Sequence, residues 1–356
     1  MLNRRHAGTW LAAALGAAAL PARSQTAQPA LKDLERLARA EGKLASVGMP
    51  DDWANWRGTW ADLQRLYGVA HVDSDMSSAE EIAKIEAEHA NASVDIGDVG
   101  FEFGAIAKAR GITRPYKPTT WAQVPDWAKD ADGHWALAYT GTIAFAVNTR
   151  RMKSVPRSWK ALFESNARVL IGEVGRAAQA NAGVLSAAIA LGGDETRLAP
   201  ALAAFAPLAR AHRLVTTNAS PALMERGEAD VFVMWDFNAL SYRDKIPNAA
   251  DYEILIPSDG SVTSGYTTII NRNAPHPNAA MLAREYIFSD AGQLQLARGN
   301  ARPIRADSLA LPDDVRRKLI DGKQYAKARA VRPAIWTEEV KKLPRTWQRD
   351  VMDAAR

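Results

Sequence analysis

Apolar and polar positions along this chain alternate between two periods. Ala30 to Glu41 places Leu and Ala at helical spacing and stops at Gly42, and Lys43 to Met49 then reads as a short buried strand. Trp53, Trp56 and Trp60 lead a helix that closes at Gly68. A strand follows at Val69–Val72, and Ser77-Ser78-Ala79-Glu80-Glu81 reads as a capped helix start with early acids. Ser93 to Ile96 is a strand, with Gly97-Asp98-Val99-Gly100 as the loop after it. Beyond residue 150 the alternation resumes. Strands are predicted at Arg168–Gly172, Asp230–Trp235, Tyr252–Ile256 and Tyr266–Ile270, with helices between them. Such alternation predicts α/β architecture, with mostly parallel sheets flanked by helices.

Between the two αβ batches lies Trp135 to Asn148, WALAYTGTIAFAVN, apolar on both sides of the polar knuckle Tyr139-Thr140-Gly141-Thr142. It reads either as a core hairpin or as one strand crossing from one lobe to another. No Pro-, Gly- or Ser-rich linker and no internal repeat separates the batches. That favours the crossing strand, with Tyr266–Ile270 as a return path.

Composition narrows the classes. The 356 residues are long for one core and comfortable for two lobes. There is no cysteine, so disulfides, thiolate metal sites and cysteine nucleophiles are excluded. The formal charge is +5, and Arg4, Arg5 and Arg23 lie in an acid-free first 24 residues, leaving about +2 for the rest. That is too mild for nucleic acid. Arg4-Arg5-His6, the apolar run Thr9–Leu20 and Ala22-Arg23-Ser24 read as a cleaved signal peptide over 1–24, so a periplasmic, exported protein is expected.

Enzyme motifs are missing: there is no G-x-S-x-G, H-E-x-x-H, P-loop or G-x-G-x-x-G. The six histidines are scattered and never fall at i, i+4. No catalytic residue, metal site or cofactor is expected.

In open αβ sheets, ligands bind beyond the carboxyl ends of strands, where helix N-termini offer free N–H groups. Five places fit: Ser77-Ser78, Gly97-Asp98, Thr140-Gly141-Thr142, Gly175–Gln179, and Trp235-Asp236. Each has a plainer reading: capping for Ser77 and Ser78, turn amides for Asp98, hairpin bonds for the threonines, a solvated helix for Gln179. Trp235-Asp236 is the strongest pair, since a Trp beside an acid can stack on and neutralise an amine.

The order of these motifs, with Trp159-x-x-Leu162 after Pro156 and AAMLAREYIFSDAGQ at 279–293, resembles the extracellular solute-binding proteins of bacterial ABC importers. The similarity lies in the branch containing ferric-iron, polyamine and aminophosphonate binders. It implies a two-lobed, type II periplasmic binding protein fold joined by hinge strands. Lobe 1 would hold 29–139 and 263–303, and lobe 2 would hold 140–262 and 304–356. It also implies a monomer that captures a small solute in the cleft and docks on a membrane permease, or else serves a chemosensory receptor. Iron binders carry neighbouring tyrosines where this chain has Trp235-Asp236-Phe237-Asn238, which speaks against iron. Polyamine binders carry an aromatic and an acid where this chain has Ser264-Gly265-Tyr266. The expected solute is a small amine or zwitterion such as an aminophosphonate. Its ammonium would meet Trp235 and Asp236, and its anionic end Ser77, Ser78, Thr140 and Thr142. Asp98, Gly141, Gln179 and Tyr266 complete the expected site.

Overall fold

The computed structural model describes residues 29–318 and 320–353; the expected signal peptide lies outside them. In the first half, helices α1 (Leu31–Glu41), α2 (Trp56–Tyr67), α3 (Ser78–Glu88) and α4 (Phe101–Ala109) alternate with strands β1 (Lys43–Val47), β2 (Ala70–Ser74), β3 (Ile96–Gly100) and β4 (Thr113–Arg114). Strand β5 follows (Trp135–Asn148). Next come α5 (Trp159–Glu164), β6 (Val169–Leu170), α6 (Ala178–Ala190), α7 (Ala199–Arg210), β7 (Leu214–Val215) and α8 (Pro221–Glu225). Strand β8 (Val231–Trp235) leads directly into α9 (Asp236–Arg243), and β9 (Tyr252–Leu255) and β10 (Ser261–Asn271) follow. The C-terminal part holds α10 (Pro277–Phe288), α11 (Asp290–Arg298), β11 (Arg302–Pro303), α12 (Asp313–Arg316), β12 (Ala328–Ala330), α13 (Pro333–Glu339) and α14 (Leu343–Trp347).

The knuckle is not a turn. β5 runs unbroken for 14 residues and changes partners midway. Residues 135–142 pair antiparallel with β10, whereas 143–147 pair with β8 and 145–148 with β9. One strand group is therefore β2-β1-β3-β10-β5 and the other β5-β8-β6-β7, with β5 common to both. Every β5 residue after Trp135 is buried, which suits the apolar runs on either side of Thr140-Gly141-Thr142. Gly141 is required at the switch, because a Cβ there would lie 2.6 Å from Phe237 Cε1.

Two expectations shift. The strand predicted at 93–96 is β3 at Ile96–Gly100, so Asp98 sits inside the strand instead of in a loop after it. The glycines that read as loop serve packing, since a Cβ on Gly97 would lie 3.0 Å from Glu81 Oε2. The return strand begins at Ser261, five residues earlier than predicted, and carries a bulge between Tyr266 and Thr267.

Helix α6 is Ala-rich and buried all round from Ala178 to Ala188, as befits a helix packed on β10, β8 and β5 together. Its N-terminus meets the end of β3 so closely that a Cβ on Gly100 would overlap that of Ala178. The C-terminal segment touches both strand groups: β12 pairs with the start of β10, α13 packs on α4, and Trp347 of α14 packs edge-on to Phe205 of α7.

Candidate functional site

The carboxyl ends of β1, β3 and β8, with the switch of β5 and the middle of β10, converge on an aromatic cluster. Tyr139 and Tyr266 stack at 5.8 Å between centroids, as register neighbours on β5 and β10. Trp53, on the loop after β1, stands edge-on to Tyr266 at 5.3 Å and to Phe237 at 5.5 Å. Trp56 stands edge-on to Tyr139, as does Phe237. The loop carrying Trp53 is strained, since Ala54 and Asn55 both have positive φ, 46° and 58°.

Polar atoms thread the rings. Trp53 Nε1 donates to the Tyr139 hydroxyl at 2.7 Å, and that hydroxyl donates to Asp98 Oδ2 at 2.6 Å. Trp235 Nε1 donates to the Tyr266 hydroxyl at 3.1 Å. Asp236 accepts from the backbone N–H of Thr142 (3.0 Å) and of Phe237 (2.8 Å) through Oδ1, and from the Tyr325 hydroxyl (2.8 Å) through Oδ2.

The electrostatics are one-sided. Glu81, Asp98, Glu102 and Asp236 are buried, and none takes part in an ion pair among the described residues. Burial pushes the Asp98 and Glu81 carboxyls well above their usual range, and Asp98 repels Glu81 further. Burial raises Glu102 to about 7. It raises Asp236 to about 6, against the bonds from Thr142, Tyr325 and Phe237. Burial likewise drives the phenols of Tyr139 and Tyr266 upward, so neither is a ready phenolate.

The expected residues fall into four groups. Asp98, Trp235 and Tyr266 belong to the cluster itself. Thr140, Gly141 and Thr142 lie on β5 beside it, where Thr142 Oγ1 also bonds Thr263 Oγ1 at 2.8 Å. Asp236 and Gln179 frame it; Gln179 is no solvated residue but accepts from Trp235 N at 3.0 Å and from Asn238 Nδ2 at 3.3 Å. Ser77 and Ser78 serve local structure. Ser77 forms a capping box with Glu80, and Ser78 Oγ accepts from Gly100 N at 3.0 Å.

Trp53, Trp56, Glu81, Glu102, Phe237 and Tyr325 escaped the sequence reading of the site. The tryptophans read as helix residues, and Glu81 as an ordinary first-turn acid. A usable signal was present in the glycines just after β1 and within β3 that make room for it: a Cβ on Gly48 would run into the Glu81 carboxylate.

A polar cavity of about 210 Å³ opens beside the Trp53 loop, lined by Asp51, Asp52, Asn55, Lys245 and Lys318 among others. A larger hollow of about 410 Å³, beside Leu240, Arg243 and Arg317, touches none of the cluster.

A family model described as bacterial extracellular solute-binding protein matches residues 93–327. No curated protein matches the chain by sequence. Solved structures similar to it include the periplasmic binding protein AfuA from Actinobacillus pleuropneumoniae with exogenous fructose-6-phosphate bound. It is 18% identical with a TM-score of 0.67, over 86% of this chain and 98% of that one. The periplasmic binding protein AgtB from A. tumefaciens R10, in complex with agropinic acid, is 16% identical with a TM-score of 0.71, over 87% and 98%. The ferric binding protein from Campylobacter jejuni is 17% identical with a TM-score of 0.64, over 86% and 99%. At such identities the likeness is one of fold, that of the type II periplasmic binding proteins.

Proposed function

The chain belongs to the bacterial extracellular solute-binding proteins, and from that premise we propose that it captures a small amine-bearing solute in the periplasm and delivers it to an ABC permease. The observation that carries the solute class is the set of buried, cation-free carboxylates faced by aromatic rings. An ammonium group entering there gains cation–π attraction and charge-assisted hydrogen bonds, and it removes the penalty of leaving those acids buried alone.

Aminophosphonates and amino acids belong to this class through their ammonium end. Their anionic end has less support, because Ser77, Ser78 and Thr142 already bond within the protein. Iron capture has less again, as the nearby phenols are held protonated.

The lobes would be 29–139 with 263–303, and 140–262 with most of the tail, hinged at the β5 switch and along β10. The solute first meets Asp98, Tyr139 and Trp53 on one lobe. Closure then brings Trp235, Asp236 and Phe237 of the other against it, and the equilibrium shifts by the solute's differential affinity for the closed form. No helix among the described residues is long and apolar enough to cross a membrane. The protein would work as a monomer without a cofactor, and the chemistry performed is binding alone.

A thermal-shift screen with primary amines, aminophosphonates, amino acids and ferric salts tests this reading. A ligand at 100 times its Kd should add about 2.7 kcal/mol of stability. Amines should shift the melt, and Asp98→Asn should abolish the shift. A response to ferric salts alone would sink the amine class.

A further inference from the structure

The cavity of about 210 Å³ beside the Trp53 loop is walled from both proposed lobes. Arg298 and Asn300, at the end of α11, line it from the first lobe; Ser241 of α9 lines it from the second, and Lys318 from the C-terminal segment. Its three acids already have cations. Asp51 has Arg57 at 3.4 Å, Asp52 has Lys245 at 2.9 Å, and Asp244 has Arg243 at 2.9 Å. Arg298 and Lys318 have no carboxylate partner among the described residues, which leaves two positive charges unbalanced at the cavity. The charge of Arg298 also suits the carbonyl end of α11, but that leaves its N–H groups free.

Two buried side chains point the same way. Ser241 and Asn300 are each 9% exposed, and neither side chain makes a hydrogen bond among the described residues. Buried polar groups ordinarily find partners, and a serine within a helix can return its hydroxyl to the carbonyl of the preceding turn. Ser241 does not. Asn300 is fixed at the cavity wall by its backbone, which has a φ of 65° and donates to Ala297 O at 3.0 Å. Gly299 beside it packs so tightly on the Trp53 loop that a Cβ there would lie 2.3 Å from the Ala54 carbonyl carbon. A guanidinium, an ammonium, a hydroxyl and a carboxamide thus surround one space, and all four can donate. A small oxyanion matches that set in both charge and hydrogen bonding.

We propose that Arg298, Asn300, Ser241 and Lys318 form an oxyanion site between the lobes, taking a phosphate or carboxylate group, and that the bound anion ties the lobes in the closed form. The inference goes beyond the amine reading and does not depend on it, since the cavity is a different one and the ligand has the opposite charge. It needs only the two-lobed closure. The donors come from both lobes, so the anion favours closure by its differential affinity for the closed form.

Isothermal titration of the full mature chain with inorganic phosphate and with acetate, each against chloride at matched ionic strength, tests the proposal. At least one of the two oxyanions should bind saturably where chloride does not. Arg298→Gln on one lobe should weaken that anion about tenfold or more, as the loss of a hydrogen bond to a charged group does. Ser241→Ala on the other lobe should weaken it as well, and so should Asn300→Gly, which removes the amide but keeps the positive φ. Repeating the titration with an ω-amino acid or its matching monoamine present identifies the source of the anion. Competition from the amino acid alone marks the acid group of the captured solute, and competition from neither marks a free ion; the site stands in both cases. If phosphate, acetate and chloride behave alike, only screening is at work and the site is wrong. If Arg298→Gln weakens binding and Ser241→Ala does not, the anion rests on one lobe and the tie between lobes is wrong. The wild-type comparison needs no variant, and its failure leaves the amine reading untouched.

Discussion

Burying a carboxylate without a cation makes stability depend on pH in an unusual direction. Asp236 is raised by burial from 3.8 to about 6, and Glu102 from 4.5 to about 7. In this window the folded chain holds more protons than the unfolded chain, so stability falls as pH rises. The contribution is intact below about pH 4 and is lost as pH climbs through 6 and 7. Glu195 behaves oppositely. Burial works to raise it, but the Arg332 and Arg329 bonds outweigh burial and bring it to about 2. Its contribution is present above 4.5 and is lost as pH falls toward 2. The solute-free protein should therefore melt at a higher temperature at pH 5 than at pH 7.5. The double variant Asp236→Asn, Glu102→Gln should flatten that slope in a scanning-calorimetry series. A melt that rises steadily to pH 7.5 would contradict the burial of these acids. The same acids explain why this part of the site was hard to read from sequence. An acid in a helix's first turn, as Glu81 and Glu102 are, fits the helix dipole and a solvated face equally well. Only the packing of α3 on β3, and of α4 on β10 and β5, turns those two inward.

At the scale of elements, β5 was the most legible part of the chain, because a strand buried on both faces shows as apolar runs, here on either side of Thr140-Gly141-Thr142. The choice between hairpin and crossing strand was legible only from what surrounds it. Glycine misled the reading at β3, where Gly97–Gly100 looks like a loop but pairs with β10, and Gly97 also with β1. Its glycines answer to a neighbouring helix, and that information is not local. The contact between Gly100 and Ala178 makes this testable. Gly100→Ala should overpack the junction of β3 and α6 and cost about 1–3 kcal/mol in urea denaturation. Ala178→Gly removes the Cβ it meets, so the double variant should recover most of that loss beyond the additive expectation. Strict additivity of the two changes would show that the elements do not meet there in solution.

At the scale of the molecule, the C-terminal segment ties the two strand groups together. Gln324 Oε1 accepts from Ile256 N at 3.1 Å and Tyr325 reaches Asp236, both in the second group. α13 then packs on α4 of the first group, and α14 returns to α7 of the second. The strap is anchored midway by fully buried Glu195, whose carboxylate takes Arg329 (2.9 and 3.1 Å) and Arg332 (2.6 and 2.9 Å). The proposed opening of the lobes must slide α13 over α4 or lift the strap from α7, so the anchor sets how readily the cleft opens. By contrast, the exposed pairs Arg176–Glu80 and Lys245–Asp52 that also bridge the groups are worth about 0–1 kcal/mol each. Glu195→Gln removes the charge on which both arginines converge. The arginines are partly exposed and can return to water, so the cost should be about 1.5–3 kcal/mol, the range for hydrogen bonds to a charged group. Amide exchange should accelerate across 328–339, and small-angle scattering of the solute-free variant should show a larger radius of gyration than the wild type. Saturating solute should restore the compact form, since it favours closure independently of the strap. Faster exchange in the strap with an unchanged radius would mean that the segment clasps one lobe only and takes no part in holding the cleft shut.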